Sequence, residues 1–298
     1  MFKVAGRWPH QDKIKVEWNI GKRCNYDCSY CPAFIHDNSS PHTDINILMS
    51  TVDKLVEIGR PIRLSLTGGE PCVHPKISEL LNYANSKVDF ISVTTNGTRP
   101  SHWYAHQLVD QYIFSLHFEY DWINILATIK SVVETDNMHC IVHVMAHQDK
   151  MKDVRTAVGL LEQYGIDYAI RRVRWTAGDH DLFDDMRYDQ NDLDWILAKS
   201  ATVKPNVVID NKVYYHANDV IKLHLNQYKG WSCTAGIESL MINWDGDVHR
   251  ATCRVGGSLG NIYIDTFNIP TEAVICDRNY CTCAADIPLT KSSSEQMT

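Results

Sequence analysis

Short apolar runs alternate with amphipathic segments from Lys13 to about Trp175, and no other feature narrows the choice of architecture as far. The runs Ile14–Ile20, Ile62–Leu66, Phe90–Thr95, Tyr112–His117, Cys140–Met145 and Tyr168–Val173 read as strands. Between them, Ile45, Leu48, Met49, Val52 and Val56 share one helical face, as do Ile77, Leu80, Leu81 and Ala84. Trp122, Ile125, Leu126 and Ile129 repeat the pattern, followed by Met151, Val154, Val158 and Leu161. Gly59 and Gly165 stand where helix C-caps are expected. Each helix returns the chain along the sheet, so successive strands pair in parallel and the fold class is α/β.

The alternation stops near residue 176. Seven aspartates crowd between Asp179 and Asp194, ahead of an expected helix over Asp192–Ser200. A hairpin is expected from Val207–Asp210 and Val213–His216, turning at Asn211, then a helix near Asn218–Gln227. Strands Leu240–Trp244 and Val248–Thr252 flank the turn Asp245-Gly246-Asp247 inside a cysteine-rich segment. We therefore divide the chain into a β/α domain over 10–176 and an acidic connecting region over 177–230. A small α+β domain over 231–290 and a polar, disordered tail at Lys291–Thr298 complete the division.

Ten cysteines without an export signal point to metal or redox chemistry rather than disulfides. Cys24, Cys28 and Cys31 follow the first strand, in a loop at its C-terminal end, the face on which β/α barrels build active sites. Three thiolates at this spacing can each hold one iron of a cubane cluster and leave the fourth iron open to a ligand. The competing reading is a zinc site completed by His36 or His42, although zinc sites usually pair their ligands as Cys-x2-Cys.

The Cys-x3-Cys-x2-Cys run, with Tyr30 before its last cysteine, resembles the signature of the radical S-adenosylmethionine superfamily. The resemblance implies a partial (β/α)6 barrel and a [4Fe-4S] cluster whose open iron chelates S-adenosylmethionine. It also implies reductive cleavage to a 5′-deoxyadenosyl radical that takes hydrogen from a substrate. Gly68-Gly69-Glu70-Pro71, after the second strand, resembles the family turn that contacts the methionyl amino group, which assigns Gly68, Gly69 and Glu70 to the cofactor. Thr95 and Asn96, within Thr94-Thr95-Asn96-Gly97, match a strand end found near the cofactor, and Ser115 matches a polar contact on the fourth strand. The Asn-Gly pair also suffices for an ordinary turn. Polar residues alternating on strands four to six, namely His117, Glu119, His143, His147, Arg172 and Arg174, are candidates to line a substrate pocket. Arg172 is expected to bind a carboxylate.

The distal cysteines Cys233, Cys253, Cys276, Cys281 and Cys283 are dense enough to surround one further metal centre. Their hairpin, with Leu259-Gly260-Asn261-Ile262, resembles the SPASM and twitch extensions, which carry auxiliary iron–sulfur clusters. Five cysteines fall short of the roughly seven that a two-cluster SPASM domain uses, so one auxiliary [4Fe-4S] cluster is expected. Cys233, Cys253 and Cys281 are the favoured ligands, with Cys276 or Cys283 as the fourth. A structural zinc ribbon is the alternative.

The 29 Lys plus Arg against 36 Asp plus Glu give a net charge of −7, which argues against nucleic acid as a partner. No stretch is long and apolar enough for a membrane span, and a cytoplasmic location is expected. The resemblance implies an enzyme acting on a peptide or small polar substrate, supplied with electrons by a donor such as flavodoxin or ferredoxin. The alternatives are a radical enzyme acting on tRNA or a nucleobase, with Arg171, Arg172 and Arg174 as its basic group, and a non-catalytic zinc-binding adaptor.

Overall fold

The structure, a computed structural model, describes residues 2–6, 12–136, 138–173, 188–199, 207–214 and 217–293. After strand β1 (Phe2–Gly6) the chain runs β2 (Ile14–Asn19), α1 (Ile45–Val56), β3 (Ile62–Thr67), α2 (Ile77–Asn85) and β4 (Phe90–Thr95). It continues through α3 (Ser101–Ala105), β5 (Gln111–Leu116), α4 (Trp122–Asp136), β6 (Cys140–Ala146), α5 (Met151–Tyr164) and β7 (Asp167–Arg172). Next come α6 (Gln190–Ala198), β8 (Val207–Ile209), β9 (Lys212–Tyr214), α7 (Ala217–Lys222) and β10 (Ser232–Cys233). Strands β11 (Ser239–Ile242), β12 (Asp247–His249), β13 (Ser258–Asn261), β14 (Val274–Ile275) and β15 (Lys291–Ser293) follow.

Strands β2 to β7 lie side by side in chain order, every pair parallel, as the alternation of apolar runs and helices requires. Ile14, Val16 and Trp18 on β2, and Ile62, Leu64 and Leu66 on β3, alternate into the layer beneath the helices. Helix α1 meets that layer with Ile45, Leu48, Val52 and Leu55. Burying each such side chain contributes about 1.5–3 kcal/mol. Asp44 starts this helix by accepting the Asn46 N–H, and Gly165 ends α5 in the left-handed conformation at φ +66°.

On the other side of β2 the sheet continues through β11, β12 and β13. Strand β11 joins β2 in parallel, with Leu240 opposite Val16 and Ile242 opposite Trp18. The cysteine-rich segment therefore extends the same sheet that the β/α units build.

A second sheet has the order β14-β10-β15-β1-β8-β9. It corrects the expected disordered tail: Lys291–Ser293 is a strand held between β1 and β10, with Lys291 opposite both Val4 and Cys233. Composition misled because the Lys-Ser-Ser side chains are polar, whereas their backbone completes two ladders and Lys291 is 2% exposed. Residues 294–298 lie outside the described residues, as do 179–187 of the acidic stretch. The described part of that stretch is tied to α5 by Arg155 to Asp192 at 2.7 Å. No described helix is long and apolar enough to cross a membrane.

Candidate active site

The loop after β2 carries Cys24, Cys28 and Cys31, all free thiols, with Cys28 buried and the other two half-buried. Several contacts shape it. The Cys31 N–H donates to the Cys28 carbonyl at 2.9 Å and the Cys24 N–H to the Asp37 carbonyl at 2.8 Å. Asp37 anchors the return of the loop through the N–H groups of Ser39 and Ser40 and an ion pair with Lys22 at 3.1 Å. Tyr26 stacks on Tyr120, ring centroids 3.7 Å apart, and the Asp27 N–H donates to the Tyr120 hydroxyl.

The Gly68-Gly69-Glu70 turn clamps this loop from below. The Gly69 and Glu70 N–H groups donate to the carbonyls of Gly21 and Arg23, each at 2.9 Å. A Cβ at Gly69 would sit 2.2 Å from the Lys22 oxygen, and one at Gly68 would sit 2.5 Å from the Gly21 oxygen with φ at +143°. These glycines let two segments of backbone meet. Glu70 is held by the protein's own groups. It is 3% exposed and accepts from the Cys72 N–H at 2.9 Å, the Thr95 hydroxyl at 2.8 Å and the Asn96 N–H at 2.6 Å. Burial raises its pKa above the usual carboxylate value against those three donors. Its carboxylate thus ties the turn after β3 to the end of β4.

Asn96 carries the link onward, its Nδ2 donating to Asn25 Oδ1 at 2.8 Å inside the cysteine loop. Tyr30, His117, Glu119 and His147 gather on the opposite side. The Tyr30 hydroxyl lies 2.5 Å from His117 Nδ1, which is 3.5 Å from Cys28 Sγ. Glu119 accepts the Ser29 N–H at 2.9 Å and stands 3.6 Å from His147 Nε2. Ser115 lies farther down β5, paired in register with His143.

Arg172 pairs with Ala146, whereas Arg171 pairs with Met145 and puts its guanidinium 3.1 Å from His143 Nε2. His36, a proposed zinc partner, instead places Nε2 3.2 Å from the Tyr26 carbonyl, and His42 packs edge-on against His74. Arg174 lies outside the described residues.

A second group of thiols lines a cleft of about 290 Å³: Cys233, Cys253, Cys276 and Cys281, with Asp286 and Lys291. Cys283 is not among its walls. Burial, then Asp286, raises its thiol to about 12, and its charge also acts on Cys281. Sequence spacing did not single out Asn25, Tyr120, Asp286 or Lys291. Asn25 had a positional signal, since it lies within the cysteine run.

The chemistry of both donor sets suits a multinuclear metal centre. Burial, then the neighbouring thiol, pushes Cys28 and Cys31 up to about 12, and burial does the same at Cys253. Thiolates so crowded repel one another until a metal deprotonates and neutralises them. Among the described residues, no three His, Cys, Asp or Glu side chains converge on the position of a single ion. In the second group the buried Tyr228 hydroxyl has no hydrogen-bond partner among the described residues, although it packs in one cluster with Cys276 and Cys281.

Residues 18–125 match the family model described as the Radical SAM superfamily. An S-adenosylmethionine-dependent nucleotide dehydratase of Selenomonas ruminantium is 31% identical over 28% of this chain and 30% of its own length. The subtilosin biosynthesis protein AlbA of Bacillus subtilis is 34% identical over 28% of this chain and 19% of its own. A GTP 3′,8-cyclase of Desulforamulus reducens is 40% identical over 26% of each. The chain therefore matches less than a third of the length of these relatives. Among solved structures, anSMEcpe with AdoMet and the Cp18Cys peptide has a TM-score of 0.56 at 15% identity, covering 85% of this chain and 78% of its own. Streptococcus suis SuiB with the precursor peptide SuiA has a TM-score of 0.56 at 14% identity, covering 86% and 64%. These two likenesses are of fold. Residues 18–125 thus match a radical SAM domain, and the rest of the chain lies outside that match.

Proposed function

We propose that this chain cleaves S-adenosylmethionine reductively and abstracts hydrogen from a peptide or small polar substrate, with a second iron–sulfur cluster in its C-terminal part. The observation that carries this reading is the clamping of the Cys24, Cys28 and Cys31 loop between the Gly68-Gly69-Glu70 turn and Asn96. The six parallel β/α units are read as a partial barrel whose inner face holds the substrate.

Cys24, Cys28 and Cys31 would hold the first cluster. When bound, it supplies the electron that breaks the sulfonium and gives the adenosyl radical that attacks the substrate. The chain's own part is to orient and shield. The stacked pair Tyr26 and Tyr120 walls the loop, and backbone groups of Gly68 and Gly69, with Thr95, Asn96 and Ser115, would position the cofactor. His117, Glu119 and His147 form a polar rim beside Cys28, suited to hydrogen bonds with a polar substrate. Cys233, Cys253, Cys276 and Cys281 would hold the auxiliary cluster, which accepts an electron if the product is oxidised. A flavodoxin or ferredoxin is the proposed donor.

A peptide is favoured because two structures with this fold were captured with peptides, and because the net charge of −7 disfavours nucleic acid. A mononucleotide is the second reading, since two sequence relatives act on nucleotides by name. Anaerobically purified protein should be brown, hold about eight irons and, once reduced, release 5′-deoxyadenosine from S-adenosylmethionine. Cys28→Ala should abolish that release. Colourless protein with stoichiometric zinc would defeat the reading in favour of a structural adaptor.

A further inference from the structure

Lys291 is the one lysine among the walls of the second cysteine cleft, and it is 2% exposed. Strand β15 delivers it, in register with Cys233 on β10. Its Nζ donates to the carbonyls of Asp286 at 2.7 Å, Ile287 at 3.1 Å and Leu289 at 3.1 Å, and lies 5.1 Å from the centroid of the Tyr228 ring. Three donated hydrogen bonds use all three hydrogens of an ammonium, so the group is held as a cation. A cation buried this deeply is costly unless opposite charge surrounds it. Asp286 is the carboxylate within the cleft; it accepts the Cys253 N–H at 3.0 Å, and the Lys291 charge acts on it.

We infer that Lys291 is a positioning residue for the auxiliary centre, its buried ammonium offsetting the negative charge of four cluster thiolates and favouring the reduced state. This inference rests on the auxiliary-cluster reading above. A cubane with four thiolates carries about two negative charges when oxidised and about three when reduced, so a fixed cation stabilises the reduced form more.

The test uses the full chain with Cys24, Cys28 and Cys31 all replaced by alanine, so that any remaining cluster is the auxiliary one. Iron content, circular dichroism and the midpoint potential from a redox titration are read for this parent, for Lys291→Gln and for Lys291→Arg. In Lys291→Gln the reduction equilibrium is expected to fall about tenfold, which is about 59 mV for one electron, or the iron to be lost from a folded chain. Lys291→Arg keeps the charge and should hold the potential. Before iron is added, Lys291→Gln should stay folded with the circular dichroism of the parent, its loss confined to the three carbonyl contacts and the charge facing Asp286. Equal potentials in parent and Lys291→Gln would overturn the inference, as would an equal fall in Lys291→Arg. A Lys291→Gln chain unfolded without iron would assign the lysine to the fold instead. A parent that binds no iron would defeat the auxiliary-cluster reading itself.

Discussion

Asn96 Nδ2 donates to Asn25 Oδ1 at 2.8 Å, so the end of β4 holds the loop between Cys24 and Cys28 directly. The bond joins two segments that lie 71 residues apart in sequence, and it fixes where the cysteines stand relative to the sheet. Asn96→Ala also leaves the Thr98 hydroxyl without its acceptor at 2.8 Å. The metal-free chain should lose about 1–2 kcal/mol in denaturant unfolding, and the anaerobically loaded chain should retain less iron. Unchanged stability and iron would show that the loop holds its shape without this bond.

Gly69 and Gly159 make a paired test. At Gly69 an added methyl meets the carbonyl oxygens of Lys22 and Arg23 at 2.2 and 2.4 Å, and both belong to backbone that carries the cysteine loop. Gly69→Ala should cost about 1–3 kcal/mol or more and suppress 5′-deoxyadenosine formation. At Gly159, in the exposed middle of α5, nothing lies within 4 Å of the added carbon. Gly159→Ala should stabilise by about 0.5–1 kcal/mol through helix propensity. Thermal melts of the two variants check both signs.

The auxiliary ligand set makes a prediction about iron. Cys276 lines the cleft with Cys233, Cys253 and Cys281, whereas Cys283 is not among its walls. Cys276→Ala should lose up to about four irons per chain, and Cys283→Ala should keep the wild-type content. The reverse result would make Cys283 the fourth ligand.

His117 sets a pH dependence in the metal-free chain. Burial lowers its imidazole from 6.5 to about 4, with Glu119 acting weakly in the opposite direction. Between those values the unfolded chain takes up a proton that the folded chain refuses, so stability is full above about 6.5 and falls as the pH drops toward 4. The slope from this one group approaches about 1.4 kcal/mol per pH unit at its steepest. His117→Gln should flatten that part of the profile when unfolding free energy is measured from pH 7 downward. A profile equally steep in the variant would place the titration elsewhere.

The β/α alternation and the cysteine triplet were legible in the sequence because both are local. Phe90–Thr95 could be read residue for residue, since its apolar run begins and ends within a single strand. Strand β7 spans Asp167–Arg172 where Tyr168–Val173 is expected, and which face each of Arg171 and Arg172 takes follows from pairing with β6, which no local pattern records. Cys24, Cys28 and Cys31 stood out by their spacing alone. The division between Cys276 and Cys283 had no such signal, for either fits the count of four.

What the sequence determined by itself was the presence of a parallel β/α sheet and two groups of thiols, each written in periodicity or in spacing along one stretch of chain. The tertiary structure alone decided that Glu70 binds protein N–H groups, that the polar tail strand brings Lys291 beside Cys233, and that β11 extends the sheet of β2. Apart from Glu70 with Cys72, these are pairings across 26 to more than 200 residues. Burial chooses them by satisfying backbone and charged groups that no local pattern records.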